Sequence, residues 1–323
     1  MVRIITFIVL ALAVLIVQVP AQADAAPGQK AVLVTGASSG LGRVMAETLA
    51  ARGHFVYAGA RKDEDIEELN RIENIQAIRL DVNKPEQIEA AVKTVMQAGR
   101  GLYGLVNNAG VVVLKPLIEI DEEDFHFQMN VNVYGPYRIT RAFAPLIIES
   151  KGRISIIGSI AGTLSSATWG PYSMTKHAME AYADALKDEM AKFGVYVSLI
   201  EPGTYKSKIA ESALNRMEKR NQLTASSQFQ AEMSESVNWL AAFQEESGDP
   251  AEVAEVVMDA LFEDKPEPRY LVVPNREQAH WTINRAMERL VEQNSRQQFR
   301  FDRETLIEML DASLNTQGKA SAP

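Results

Sequence analysis

The chain has no cysteine among its 323 residues. Disulfides, thiolate-ligated metals and thiol nucleophiles are therefore excluded, although the absence says nothing of redox compartment. Histidine is nearly as scarce. His54, His126, His177 and His280 stand far apart with no metal-ligand spacing, so no metal centre is expected. A basic excess is missing too. The formal net charge of −9 leaves nothing to neutralise nucleic-acid phosphates, and no nucleic-acid partner is expected. Long apolar runs are confined to the N-terminus. There Arg3 precedes an apolar stretch from Ile4 to Val17, and Ala21-Gln22-Ala23 follows Pro20. A charged start, a short apolar run and a small-x-small site match a secretory signal cleaved after Ala23. An uncleaved anchor that associates with a membrane through residues 4–20 is the second reading. A misassigned start, which would leave the protein cytoplasmic, is the third. Residues 24–29 then read as a linker into a folded region.

What is present fits a globular chain, with 46% hydrophobic and 23% charged residues. Ala31 to Thr35 is a short β-branched run stopped by glycine, hence a buried strand. Gly36-Ala37-Ser38-Ser39-Gly40-Leu41-Gly42 follows and opens a helical pattern. Strand, glycine turn and helix N-terminus make a phosphate site, because glycines admit the ligand to the backbone and first-turn N–H groups face it. The spacing G-x-x-x-G-x-G departs from the commoner G-x-G-x-x-G.

The second strand, residues 54–59, ends at Ala60-Arg61. In a dinucleotide fold this tip meets the adenosine ribose, where a carboxylate reads NAD and an arginine reads the 2′-phosphate of NADP. No carboxylate stands on the tip, and a planar guanidinium suits phosphate. NADP(H) is the expected cofactor and NAD(H) the second; Asp63, Glu64 and Asp65 are close enough in sequence to pair with Arg61 instead.

Strand patterns recur at 77–82, 104–106, 153–158, 195–200 and 270–273, with helical patterns between them at 63–71, 85–96, 125–150, 172–192 and 250–262. This rhythm predicts an α/β fold, a doubly wound parallel sheet with helices on both faces. Asp121 to Asp124 fits a helix start, where negative charge is favoured. Asn130 and Asn132 fall inside a helical pattern, where a buried amide needs a partner. Ser159 lies at the carboxyl end of the fifth strand, where ligands of such sheets bind. Tyr172 and Lys176 are four apart, on one face of a helix that Pro171 opens. An ammonium one turn from a phenol favours the phenolate, so Lys176 is expected to lower the proton affinity of Tyr172. Two further helical patterns run from 276 to 315.

Taken together, Thr35-Gly36-x-x-x-Gly40-x-Gly42, Asn107-Asn108-Ala109-Gly110, Asn132, Ser159, Tyr172-x-x-x-Lys176 and Pro202-Gly203 resemble the short-chain dehydrogenase/reductase family, in its order and spacing. The resemblance covers roughly residues 29–275 and implies a Rossmann-like seven-stranded sheet and hydride transfer between an alcohol and a carbonyl. It implies that Tyr172 is the acid and base, that Lys176 also holds the nicotinamide ribose, that Ser159 binds the substrate oxygen and that Asn132 supports a water. By the same resemblance Gly36, Ser38, Ser39, Gly40, Leu41, Gly42 and Arg61 hold the phosphates. Asp81 and Val82 flank the adenine, while Asn108, Ala109 and Gly110 line the cofactor beside Pro202, Gly203 and Thr204. Ser207 stands where the family has a threonine for the carboxamide. Residues 30–275 would form the dinucleotide domain, with 205–248 as a substrate lid whose apolar points are Met217, Leu223, Met233, Trp239 and Leu240. Residues 276–323 are a helical extension beyond the family core. A small-molecule substrate and a homodimer or homotetramer are expected.

Ala60-Arg61, Glu201-Pro202-Gly203 and Pro268-Arg269-Tyr270-Leu271 resemble, more loosely, the retinol- and steroid-type members, which implies a lipophilic substrate. Two other classes compete. A non-catalytic NADP-binding sensor on the same fold would have no use for the full Asn132, Ser159, Tyr172 and Lys176 set. A sugar-nucleotide epimerase would have a different glycine spacing.

Overall fold

The computed structural model describes residues 28–222 and 226–320. The apolar N-terminal stretch, with the signal and anchor readings placed on it, and Leu223 lie outside the described residues. Among those described, no helix is long and apolar enough to cross a membrane.

Seven strands form one sheet: β1 Ala31–Val34, β2 Phe55–Ala60, β3 Ile75–Arg79, β4 Gly104–Asn107, β5 Arg153–Ile157, β6 Tyr196–Pro202 and β7 Arg269–Val272. Their spatial order is β3-β2-β1-β4-β5-β6-β7, and every neighbouring pair is parallel. Parallel neighbours need crossovers, and the helices supply them. These are α1 Gly40–Ala51, α2 Asp63–Leu69, α3 Pro85–Gln97, α4 Glu122–Met129, α5 Gly135–Glu149, α6 Gly170–Ala191, α7 Ile209–Lys219, α8 Gln230–Glu246 and α9 Ala251–Phe262. Helices α10 Arg276–Ser295 and α11 Arg303–Ala320 follow the last strand.

Side chains of a strand alternate between faces, and β1 shows the result. Ala31 and Leu33 join a core with Ile88 and Val95 of α3, Phe143 of α5 and Met179 and Leu186 of α6. Val32 and Val34 join the opposite core, with Met45 and Leu49 of α1 and Val253, Val257 and Leu261 of α9. Burial on both faces explains why the strands read as continuous apolar runs rather than alternating ones. A third, smaller cluster joins Val112, Leu114 and Tyr172 to Ala210 and Ala213 of α7 and Leu240 and Phe243 of α8. That cluster ties α7 and α8 to the body.

Two elements differ from the sequence reading. The helix expected over 125–150 is interrupted: Asn130–Tyr134 forms a wider π-helical turn between α4 and α5. Such a turn re-aims side chains, and it places Asn132 inward, nearly fully buried. Strand β6 also runs on through Glu201 and Pro202 instead of breaking before them, because the missing proline N–H is compensated one residue later by Gly203 N donating to Val272 O at 2.8 Å.

Candidate active site

The glycine turn after β1 needs its glycines. Gly36 and Gly40 have φ of +66° and +56°, where a Cβ is disfavoured. At Gly42 a Cβ would lie 2.3 Å from the Gly36 carbonyl oxygen. The tip of β4 is laced to this turn. Asn108 Nδ2 donates to Thr35 O at 2.8 Å and Gly36 O at 3.2 Å, and Thr35 Oγ1 accepts from the main-chain N–H groups of Asn108 and Ala109. Asn108 is thus a brace for the turn.

From this turn a cleft of about 950 Å³ runs along the carboxyl ends of the strands. Every cofactor residue anticipated from the sequence lines it: Gly36, Ser38 to Gly42, Arg61, Asp81, Val82, Asn108 to Gly110, Pro202 to Thr204 and Ser207, with Tyr172 and Lys176. Gly40 lies so close to Ser207 that a Cβ would meet the serine Cβ at 2.9 Å. An exposed Arg61 stands at the β2 end of the cleft. Asp63 pairs with Arg79 on the tip of β3 rather than with Arg61, whose guanidinium has no ion pair among the described residues. The Arg61 carbonyl accepts from Arg79 Nη1 at 2.5 Å, so two guanidiniums share this corner. Glycine cradle, helix N-terminus and uncommitted guanidinium fit a dinucleotide.

At the other end Ser159, following β5, faces Tyr172, on α6, closely enough for its hydroxyl to act on the phenol. Burial pushes the Tyr172 hydroxyl up to about 12, and the Ser159 hydroxyl pulls it the other way. Burial likewise lowers Lys176 to about 8, opposed by the charge of Glu180 one turn along α6. The depression of Tyr172 expected from Lys176 is therefore not what the structure shows. Lys176 Nζ donates to Ile157 O at 2.9 Å and lies 5.6 Å from the Tyr172 ring centroid. Burial dominates at Tyr172, which packs with Ala210 and Ala213 of α7 and Leu240 and Phe243 of α8.

Asn132 stands behind the lining. Its Oδ1 accepts from Val111 N at 2.8 Å, and its Nδ2 donates to Val111 O at 2.9 Å and Thr175 Oγ1 at 3.0 Å. It therefore couples the loop after β4 to the turn of α6 between Tyr172 and Lys176. Asn130 accepts from Arg138 Nη2 at 3.2 Å and has no place in the cleft.

The sequence reading names Trp239 among the lid's apolar points, but not its ring partners, the residues by which the C-terminal helices reach the cleft, or a role for Asp124 beyond a helix start. The outer cleft is walled by aromatic rings, with Trp169, Trp239 and Phe243 in an edge-to-face chain at centroid distances of 5.0 and 5.1 Å. The C-terminal extension also reaches the cleft, through Gln278, Trp281 and Arg285, beside Asn275. Finally, Asp124 does more than start a helix. Asp121 caps α4, accepting from Asp124 N at 2.8 Å, while the Asp124 carboxylate is fully buried. It takes Arg216 at 2.5 and 3.1 Å, Arg220 at 3.1 Å and Gln222 at 2.5 Å, and so latches α7 to the body.

The fold is of the doubly wound parallel class, with a glycine cradle at one end of the cleft and a serine, a tyrosine and a lysine at the other. The chain belongs to the short chain dehydrogenase family, whose model matches residues 30–218. Over 194 residues it is 38% identical to the mitochondrial D-beta-hydroxybutyrate dehydrogenase of Rattus norvegicus, covering 57% of this chain and 56% of that one. Over 183 residues it is 36% identical to retinol dehydrogenase 5 of Homo sapiens, covering 55% and 57%. The chain thus spans little more than half the length of these curated relatives. A short-chain dehydrogenase from Streptomyces avermitilis superposes with a TM-score of 0.70 at 30% identity, over 84% of this chain and 98% of that one. Two neighbours at 23% identity share the fold: one from Burkholderia phymatum in complex with NAD (TM-score 0.70, 82% and 95% covered) and one from Burkholderia cenocepacia in complex with NADP (0.62, 81% and 95%).

Proposed function

We propose that this chain is an NADP(H)-preferring oxidoreductase that interconverts a lipophilic alcohol and its carbonyl compound. The observation that carries the reading is the placement of Ser159, Tyr172 and Lys176 at one end of a cleft whose other end is the glycine turn. The cofactor, when bound, supplies or accepts the hydride. The chain's own residues handle the oxygen and its proton. Ser159 and Tyr172 present two hydroxyls to one carbonyl oxygen. Tyr172, with its proton held up to about 12, is a donor across the neutral range, which suits it to protonate the developing alkoxide. Lys176, charged below about 8, stabilises the phenolate left behind.

Arg61 supports the NADP preference, because an uncommitted guanidinium at the ribose end favours a 2′-phosphate. The aromatic wall of Trp169, Trp239 and Phe243 supports an apolar substrate body. Of the two named relatives' substrates, a retinoid suits that wall better than a small hydroxy acid. The test is oxidation of NADPH and NADH by the full chain in the presence of retinal, ketosteroids and short-chain keto acids. Turnover with NADPH and an apolar carbonyl, lost in Tyr172→Phe, is expected, with Arg61→Ala raising the KM for NADPH about tenfold and leaving NADH unchanged. Cofactor binding without turnover on any carbonyl would instead favour a non-catalytic sensor.

A further inference from the structure

Gln278 lies on α10, outside the residues matched to the family, yet its side chain is buried against the end of β6. Its Oε1 accepts from the main-chain N–H of Thr204 at 2.9 Å, and its Nε2 donates to Thr204 Oγ1 at 2.5 Å. The polarity of this pair is forced. A main-chain N–H can only donate, so the amide oxygen must face it. The amide nitrogen then faces the hydroxyl and can itself only donate, so Thr204 Oγ1 must accept. A hydroxyl that accepts from Gln278 keeps its single proton for another partner.

The surroundings leave that proton as the polar hydrogen Thr204 offers the cleft. The Thr204 carbonyl accepts from Gly248 N at 3.0 Å, and Gly203 N donates to Val272 O at 2.8 Å. Thr204 lines the cleft at the end of β6, beside β5, which delivers Ser159. Gln278 is itself held in register, since Asn275 caps α10 by accepting from Gln278 N at 3.0 Å. Position 203 is fitted to it as well, because a Cβ there would lie 2.2 Å from Gln278 Oε1.

We propose that Gln278 is a positioning residue that makes the Thr204 hydroxyl a hydrogen-bond donor to the carboxamide oxygen of the cofactor's nicotinamide. This rests on the dinucleotide reading above. It makes the C-terminal extension part of the cofactor site.

The test is calorimetric binding to the full chain at about pH 8, where a glutamate is ionised. The ligands are NADPH and 2′-phospho-ADP-ribose, which lacks the nicotinamide. Gln278→Glu is the decisive variant. It keeps an acceptor for Thr204 N–H, but its second oxygen can only accept, so it draws the hydroxyl proton away from the cleft. Gln278→Glu is expected to bind NADPH about tenfold more weakly, equivalent to about 1.4 kcal/mol, and 2′-phospho-ADP-ribose within about twofold of the parent. A thio analogue of NADPH, with sulfur for the carboxamide oxygen, should be penalised by the parent and not further by the variant, which separates lost donation from added charge. Gln278→Leu, which neither donates to the hydroxyl nor takes its proton, is expected to fall between the parent and the glutamate; should it not fold, the glutamate decides alone. Parent-like NADPH affinity in Gln278→Glu would overturn the proposal and leave Gln278 a loop brace. If the parent binds neither ligand, the dinucleotide reading falls, and this inference with it.

Discussion

Asp124 is where a single carboxylate controls whether α7 stays attached to the body. Its carboxylate is fully buried and receives Arg216, Arg220 and Gln222 from α7 and the residues after it. Removing one partner of a buried ion pair costs about 3–5 kcal/mol. Here the guanidinium side chains of Arg216 and Arg220 remain 26% and 28% exposed, so in Asp124→Ala they turn to water and recover hydration. The expected cost is therefore about 2 kcal/mol, below the buried-pair range. It falls on attachment of α7 rather than on the sheet, because the latch touches neither sheet face. At about 1.4 kcal/mol per factor of ten, the detached population rises about thirtyfold. Limited trypsin digestion under native conditions measures it, since cleavage tracks the open population when reclosing is fast. Cutting after Arg216 and Lys219 should quicken by about that factor, and Asp124→Asn, which keeps one acceptor oxygen, should fall between. A rise of less than about threefold in Asp124→Ala would refute the reasoning and show that the apolar contacts of Ala210 and Ala213 hold α7 unaided.

Two titrations give further predictions. Lys176 is charged below about 8, so the reductive rate should fall as pH rises through that value, and Lys176→Met should be slow at every pH with no inflection. Glu201 is raised from 4.5 to about 7, by burial first and then by the neighbouring Glu180, with Arg269 opposing. A carboxyl raised in the folded state contributes stability below 4.5 that is lost as pH rises through about 7. Glu201→Gln should therefore match the parent's Tm in mild acid and exceed it in mild alkali; equal melting at both ends would show that Arg269 already compensates the charge.

The sheet, the glycine turn and the helix that carries Tyr172 and Lys176 were legible because their constraints are local. A positive φ at Gly36, two side chains one helical turn apart at Tyr172 and Lys176, and a hydroxyl just beyond a strand are all written in adjacent residues. What stayed hidden depends on residues far apart. Asp124 and Arg216 are 92 positions apart, and Thr204 and Gln278 are 74, and no periodicity encodes such pairs. The proton affinity of Tyr172 was misjudged for the same reason. The charge that would lower it is four residues away, whereas the groups that bury it arrive on α7 and α8. Asn132 shows the intermediate case: the sequence marked an amide in need of partners, and only the fold revealed Val111 and Thr175 as those partners.

The strand order has a consequence for the birth of the molecule. After β3, every new strand pairs with one already made: β4 with β1, then β5, β6 and β7 each with its predecessor. A nascent chain can therefore extend the sheet in the order of synthesis, without waiting for a distant segment. The cleft cannot be finished that way. Its glycine turn emerges with the first strand, and Gln278 emerges after the last, so the ribosome releases the whole sheet before the pocket gains its final wall.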